Sequence, residues 1–216
     1  MSYNIIEENE ILAEGVTFIQ QKYPLYDKNR LIDSYSGDKY SLQMIEKSVD
    51  ETTFNSILLM VLFDALIGNS DRHPSNWGVI YTVDTFKGFY TTFSPLYDNG
   101  SSLCAYEDSD NIDIFFKDKM KFDALINTKS KSAIGWNNIR PIRHFELIEK
   151  IKENYYDKTE KYVKIINSKI TDESIQNILD DFSIDIINEN MKRLIKKFIL
   201  DRKNIILEIY NMKDEG

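Results

Sequence analysis

Three oxygen-bearing side chains draw attention by type and spacing: Asp71 and Asn76 in "GNSDRHPSNWGV", and Asp98 in "SPLYDNGSS". Five positions separate the first two, with Pro74 between them. Proline stops the loop from continuing as helix and biases His73 toward an extended conformation, so two short side chains can point into a common space. "WGVIYTV" and "FYTTF", on either side of the turn-rich "DTFKG", predict a β-hairpin that returns the chain and lets Asp98 meet them. Phosphoryl transfer needs a carboxylate near the acceptor hydroxyl and further oxygen ligands for Mg²⁺ on the phosphates, and these residues supply those types in that order. A metal-dependent hydrolase would draw on the same three groups. Taken singly, each is also ordinary turn chemistry, since Asp and Asn bond nearby backbone in loops.

The neighbours have two readings each. Arg72 suits a phosphate contact, and equally a simple ion pair. Histidine is a residue type suited to general-base work, but for His73 the stronger expectation is a structural role, bonding backbone to hold the loop. Asn69 is expected to shape the turn. Asp64 interrupts an oily helix and is expected on an exposed edge, a buried pairing with Arg72 being the alternative. Cys104 is expected to pack as a small apolar residue, and "NTKSKSAIGW" reads as a solvated basic loop.

These residues need elements to position them. In "KSVDETTF" Ser48 and Glu51 have capping-box spacing, and Phe54, Ile57, Leu58, Val61, Leu62, Ala65 and Leu66 recur at helical intervals. Leu59, Met60 and Phe63 add apolar surface on other faces, which predicts a central helix buried nearly all round. Gly68 stands where a left-handed C-terminal cap belongs. Residues 11–22 predict a short helix broken at Pro24. From His144 onward the chain reads as helical, in "HFELIEKIKENYY", "KTEKYVKIINSKI" and "TDESIQNILDDF" with Thr171 as N-cap, then a last helix with an apolar stripe from Met191 to Ile209. The fold class is therefore mostly α with a small β-hairpin.

Composition narrows the function. The 216 residues carry a formal charge of −8 with pI near 4.9, which leaves no basic footprint for nucleic acid or an anionic membrane surface. The one cysteine cannot form an internal disulfide, and two histidines make no metal cluster. "MSYNIIEENE" lacks the basic start and apolar block of a signal peptide, and "ILLMVLF" is too short to span a bilayer. A soluble, cytoplasmic protein is expected.

"LFDALIGNSDRHPSNWGV" and "FSPLYDNGSS" together resemble the C-terminal lobe of HipA-like serine/threonine kinases, over about Thr53 to Ser102. The loop "GNSDRHPSN" is also similar to that of phosphatidylinositol 3/4-kinase-like enzymes. The resemblance implies a protein-kinase-like C-lobe as one domain over 1–216, with 1–16 a remnant of the hinge or N-lobe and 144–212 a helical bundle. It implies Asp71 as catalytic residue, Asn76 and Asp98 as Mg²⁺ ligands, Asn69, Arg72 and His73 as supporting loop, ATP as cosubstrate and a protein Ser/Thr hydroxyl as acceptor. Two departures stand out: Arg72 and His73 follow the aspartate where eukaryotic kinases place His-Arg before it, and "DNG" replaces Asp-Phe-Gly. No Gly-x-Gly-x-x-Gly and no convincing strand lysine precede Asp71, so the N-lobe is expected to be largely absent and to be supplied in cis or in trans. An N-lobe polypeptide or an antitoxin-like protein is the implied partner. A catalytically inactive protein-binding module is the competing class, and a lipid kinase stands further off.

Overall fold

The structure, a computed structural model, describes residues 5–84, 88–108, 112–129 and 131–214. The chain groups into two compact units, one drawn from 1–57, 71–99 and 133–141 and the other from 58–70, 100–132 and 142–216.

The first unit opens with strand β1 (Glu10–Glu14) and helix α1 (Gly15–Lys22), followed by the short strands β2 (Tyr26–Asp27) and β3 (Ile32–Asp33) and helix α2 (Leu42–Glu46). It also takes in the start of α3 (Glu51–Ile67) and the hairpin β4 (Gly78–Asp84) and β5 (Gly88–Phe93). The helix expected over 11–22 is thus a helix only from Gly15. Residues Ile11–Glu14 extend instead, because they pair antiparallel with the free edge of the hairpin and complete a sheet of order β1-β4-β5. Such pairing satisfies backbone groups that local helix propensity could not outbid. Residues 1–4 of the stretch read as a hinge remnant, and 85–87 of the expected hairpin turn, lie outside the described residues.

Where β1 becomes α1, packing is close. An added Cβ on Gly15 would lie 2.2 Å from the Trp77 indole, and one on Gly78 would lie 2.6 Å from the Ala13 carbonyl. The first amides of α1 have no partner within the helix. Gly15 donates its N–H to the Trp77 carbonyl at 2.8 Å and Val16 to that of Pro74 at 2.9 Å. Trp77 is fully buried between the rings of Phe18 and Phe93, each stacked with centroids 6.3 Å away, and its Nε1 donates to the Tyr40 hydroxyl at 2.9 Å. The 74–77 stretch is thereby anchored from several sides.

The second unit contains the rest of α3, the short helices α4 (Asp113–Lys117) and α5 (Lys119–Ala124), a π-helical turn at Leu125–Lys129, and the strand pair β6 (Lys131–Ser132) and β7 (Ile142–Arg143). Three helices complete it: α6 (His144–Lys169), α7 (Asp172–Asp180) and α8 (Glu189–Ile209). The two helical stretches expected after His144 run on as α6, kinked where Tyr155 leaves helical backbone angles. Thr171 caps α7, accepting from the Ser174 amide at 3.1 Å. The α8 stripe is buried as expected: Leu194 and Phe198 pack with Phe115, Phe122 and Leu125, and Ile195 packs with Ile175 and Leu179. Cys104 belongs to the first of these clusters, a packing residue as anticipated.

The α3 cap differs from the expected one. The helix begins at Glu51, so Asp50 is the residue before it, and its Oδ1 accepts from the Thr53 amide at 2.7 Å. Ser48 instead donates its hydroxyl to the Met44 carbonyl. Asp and Ser are comparable N-caps, so spacing alone misplaced the start by two residues. Gly68 does take the left-handed conformation, with φ 71°. Among the described residues no helix is long and apolar enough to cross a membrane.

Candidate active site

Asp71, Asn76 and Asp98 all belong to the first unit. The loop that follows α3 turns tightly at Pro74. The Asn76 amide donates to the His73 carbonyl at 2.9 Å, and the Ser75 amide donates to His73 Nδ1 at 3.2 Å. Asn76 is 4% exposed and its Nδ2 donates to the main-chain carbonyl of Asp71 at 2.7 Å. With Nδ2 so engaged, Oδ1 is left as the atom that can ligate a cation. Asp71 is exposed.

Asp98 is also exposed and sits in the left-handed region, φ 52°, which Asp tolerates better than most residues. The turn that carries it is held by Arg72. This guanidinium is 1% exposed, and its Nη1 donates to the carbonyls of Asn76 at 2.6 Å and Tyr97 at 2.8 Å. Its Nη2 donates to Asn99 Oδ1 at 2.6 Å. Tyr97 returns the tie, its hydroxyl donating to the Ser75 carbonyl at 3.1 Å. Burial pushes that phenol up to about 12, so it stays a neutral donor at physiological pH. Arg72 therefore reaches main-chain carbonyls and an amide, a use beyond the phosphate contact and the ion pair that its sequence position suggested. Residue spacing does not point to Tyr97 or Asn99; the one signal in the sequence is the polar Asn99 where an apolar residue stands in Asp-Phe-Gly.

Asn69 and Asp64 lie in the second unit. Asp64 is buried, against the expectation of an exposed edge, and its Oδ1 accepts from Asn69 Nδ2 at 3.0 Å. Asn69 Oδ1 in turn accepts from the Ser101 hydroxyl at 2.6 Å. A carboxylate can be buried in an apolar helix when such donors satisfy it, and the composition of the helix hides them because they lie beyond its end.

Among the described residues no three His, Cys, Asp or Glu side chains gather as a metal site. Asp98 and Asn76 would contribute one oxygen-bearing group each, which suits Mg²⁺, an ion that keeps waters and is completed by substrate phosphates.

No protein-family profile matches the chain. In sequence it is 23% identical over 216 residues to serine/threonine-protein kinase CtkA of Helicobacter pylori, covering 94% of this chain and 63% of that protein. The chain thus spans under two thirds of the length of the curated relative it matches. In structure it superposes on the crystal structure of a Helicobacter pylori proinflammatory kinase, CtkA, with TM-score 0.74 and 18% identity, covering 94% of this chain and 70% of that one. Over nearly its whole length, the chain has the fold of a solved kinase.

Proposed function

We propose that this chain is the hydroxyl-side, metal-holding part of a kinase of HipA-like type, transferring the γ-phosphate of ATP to a Ser or Thr hydroxyl of a protein. One observation carries the reading: within a single unit, one buried guanidinium binds both the Asn76 carbonyl and the turn bearing Asp98, while Asn76 binds the Asp71 carbonyl. The segments that carry the three residues named from spacing are tied together by hydrogen bonds.

In this reading Asp71 orients the acceptor hydroxyl and takes its proton as the oxygen attacks. Asn76 Oδ1 and the Asp98 carboxylate would hold Mg²⁺, which would supply positive charge against the phosphates. His73 serves the turn, its Nδ1 occupied by the Ser75 amide. No strand before Asp71 among the described residues carries a lysine, and the sequence holds no Gly-x-Gly-x-x-Gly. The phosphate-covering part comes, on this reading, from a further polypeptide stretch, in cis or in trans.

A protein-binding module without transfer activity is the second reading. It is favoured by one feature of the β1-β4-β5 sheet, where Ile11, Val83 and Phe89 stand 65 to 70% exposed on one face. Calorimetric titration of Mg²⁺ and ATP into the purified chain, beside Asp98→Ala, separates the two. Saturable binding that the substitution abolishes supports the kinase reading. Binding that the substitution leaves intact refutes the metal role of Asp98, and no binding by the parent, either alone or with a phosphate-covering polypeptide added, favours the module.

A further inference from the structure

In a kinase metal turn of the Asp-Phe-Gly kind, the residue after the aspartate is apolar and its packing sets whether the turn is in or out. Here that residue is Asn99, and its Oδ1 takes a 2.6 Å hydrogen bond from a guanidinium that is itself 1% exposed. The same Arg72 grips the carbonyl of Tyr97, so the residues on both sides of Asp98 are fixed by one side chain. It also grips the carbonyl of Asn76 at 2.6 Å. Arginine's planar fork suits such use, because its five donors lie in fixed directions and remain charged at any physiological pH.

We infer that Asn99 and Arg72 form a latch that holds Asp98 in its left-handed, metal-ready conformation before any metal or nucleotide arrives. The pair takes the place of an apolar switch. Asn99 is a positioning residue, acting on the metal through the backbone of Asp98, and Arg72 ties the spacing of the two metal-ligand backbones to that same turn. The inference rests on the kinase reading for its consequence, though not for the latch itself. A conformation at φ 52° is uphill for a residue with a side chain, so an external grip on both flanks is what keeps it populated.

The test uses the 216-residue chain with Asn99→Ala and Asn99→Asp, the latter keeping an oxygen for Arg72. Two readouts are taken. One is amide hydrogen exchange of peptides covering residues 96–99 in the metal-free protein. The other is Mn²⁺ affinity in the presence of ATP, read from the electron paramagnetic resonance signal of free Mn²⁺. Asn99→Ala is expected to speed exchange in that segment and to weaken Mn²⁺–ATP binding about ten-fold, as loss of an outer-shell partner does, while Asn99→Asp preserves both. A merely structural residue would lower the melting temperature without this selective loss. Parent-like Mn²⁺–ATP affinity in Asn99→Ala overturns the inference. If the parent binds no Mn²⁺–ATP either alone or complemented by a phosphate-covering polypeptide, the kinase reading fails, and exchange then decides the latch alone: unchanged exchange overturns it, and acceleration confined to residues 96–99 upholds it.

Discussion

Asn76 and Asp71 are joined within their own loop, the side-chain Nδ2 of one donating to the main-chain carbonyl of the other at 2.7 Å. The bond sets which end of the Asn76 amide is available, and it closes the loop from Asp71 to Asn76 on itself. Asn76→Asp keeps an oxygen ligand but replaces the donor with a second acceptor against the Asp71 carbonyl. We expect Asn76→Asp to bind Mg²⁺ and ATP about ten-fold more weakly and Asn76→Ala about a hundred-fold more weakly, by calorimetry. If Asn76→Ala binds as the parent does, Asn76 is not a metal ligand.

Asp71 predicts a different split. Asp71 is exposed, and on the kinase reading its carboxylate serves the acceptor hydroxyl and not the metal. Asp71→Asn should leave Mg²⁺–ATP affinity within about two-fold while lowering transfer to a Ser/Thr peptide by roughly a thousand-fold, the scale of a lost general base. The comparison is made in whichever form is active, the chain alone or complemented by a phosphate-covering polypeptide. Transfer that survives the substitution would remove Asp71 from the chemistry.

Packing beneath the loop gives a prediction independent of function. Gly15 starts α1 with its Cα against Trp77, where an added methyl would sit 2.2 Å from the indole. Overpacking of this kind costs about 1–3 kcal/mol, and more when the neighbour is a fully buried ring held by two stacked aromatics and a hydrogen bond. Gly15→Ala should lower stability by about 3 kcal/mol in denaturant titration. Trp77→Phe, which removes volume, should relieve part of that loss in the double variant, giving a coupling that independent sites would lack.

Local features were more legible in the sequence than distant partnerships. The hairpin and the Gly68 cap could be read because each rests on local rules: β-branched and aromatic runs on either side of a turn, and the tolerance of glycine for positive φ. What stayed hidden depended on distant partners. Strand β1 exists because the hairpin offers an edge, which residues 10–14 do not reveal. Asp64 is buried because Asn69 satisfies it, and Arg72 is an internal clamp because Tyr97 and Asn99 come to it from more than twenty residues away. A polar side chain read in isolation defaults to the surface, and only its partners decide otherwise.

His144 shows the same dependence and yields a prediction in pH. It opens α6, lies almost wholly buried, and its pKa is lowered from 6.5 to about 3, first by burial and then by the nearby charge of Arg202. In the unfolded chain the ring takes a proton near its ordinary pKa, whereas in the folded chain it stays neutral until far lower pH. Between these two values the unfolded state holds the extra proton, so stability falls as pH drops from about 6.5 toward 3, with a limiting slope of roughly 1.4 kcal/mol per pH unit. Above about pH 7.5 both states are neutral here and the residue adds no slope. His144→Leu removes the titration while keeping an apolar side chain. Unfolding free energies of parent and variant, measured at pH 7, 6 and 5, should therefore diverge, the parent losing about 1 kcal/mol more than the variant between pH 6 and 5. Carboxylates titrating in the same range are common to both proteins and cancel in the difference. Parallel curves would mean that the folded chain accommodates a charged His144, and that its burial against Arg202 is not maintained in solution.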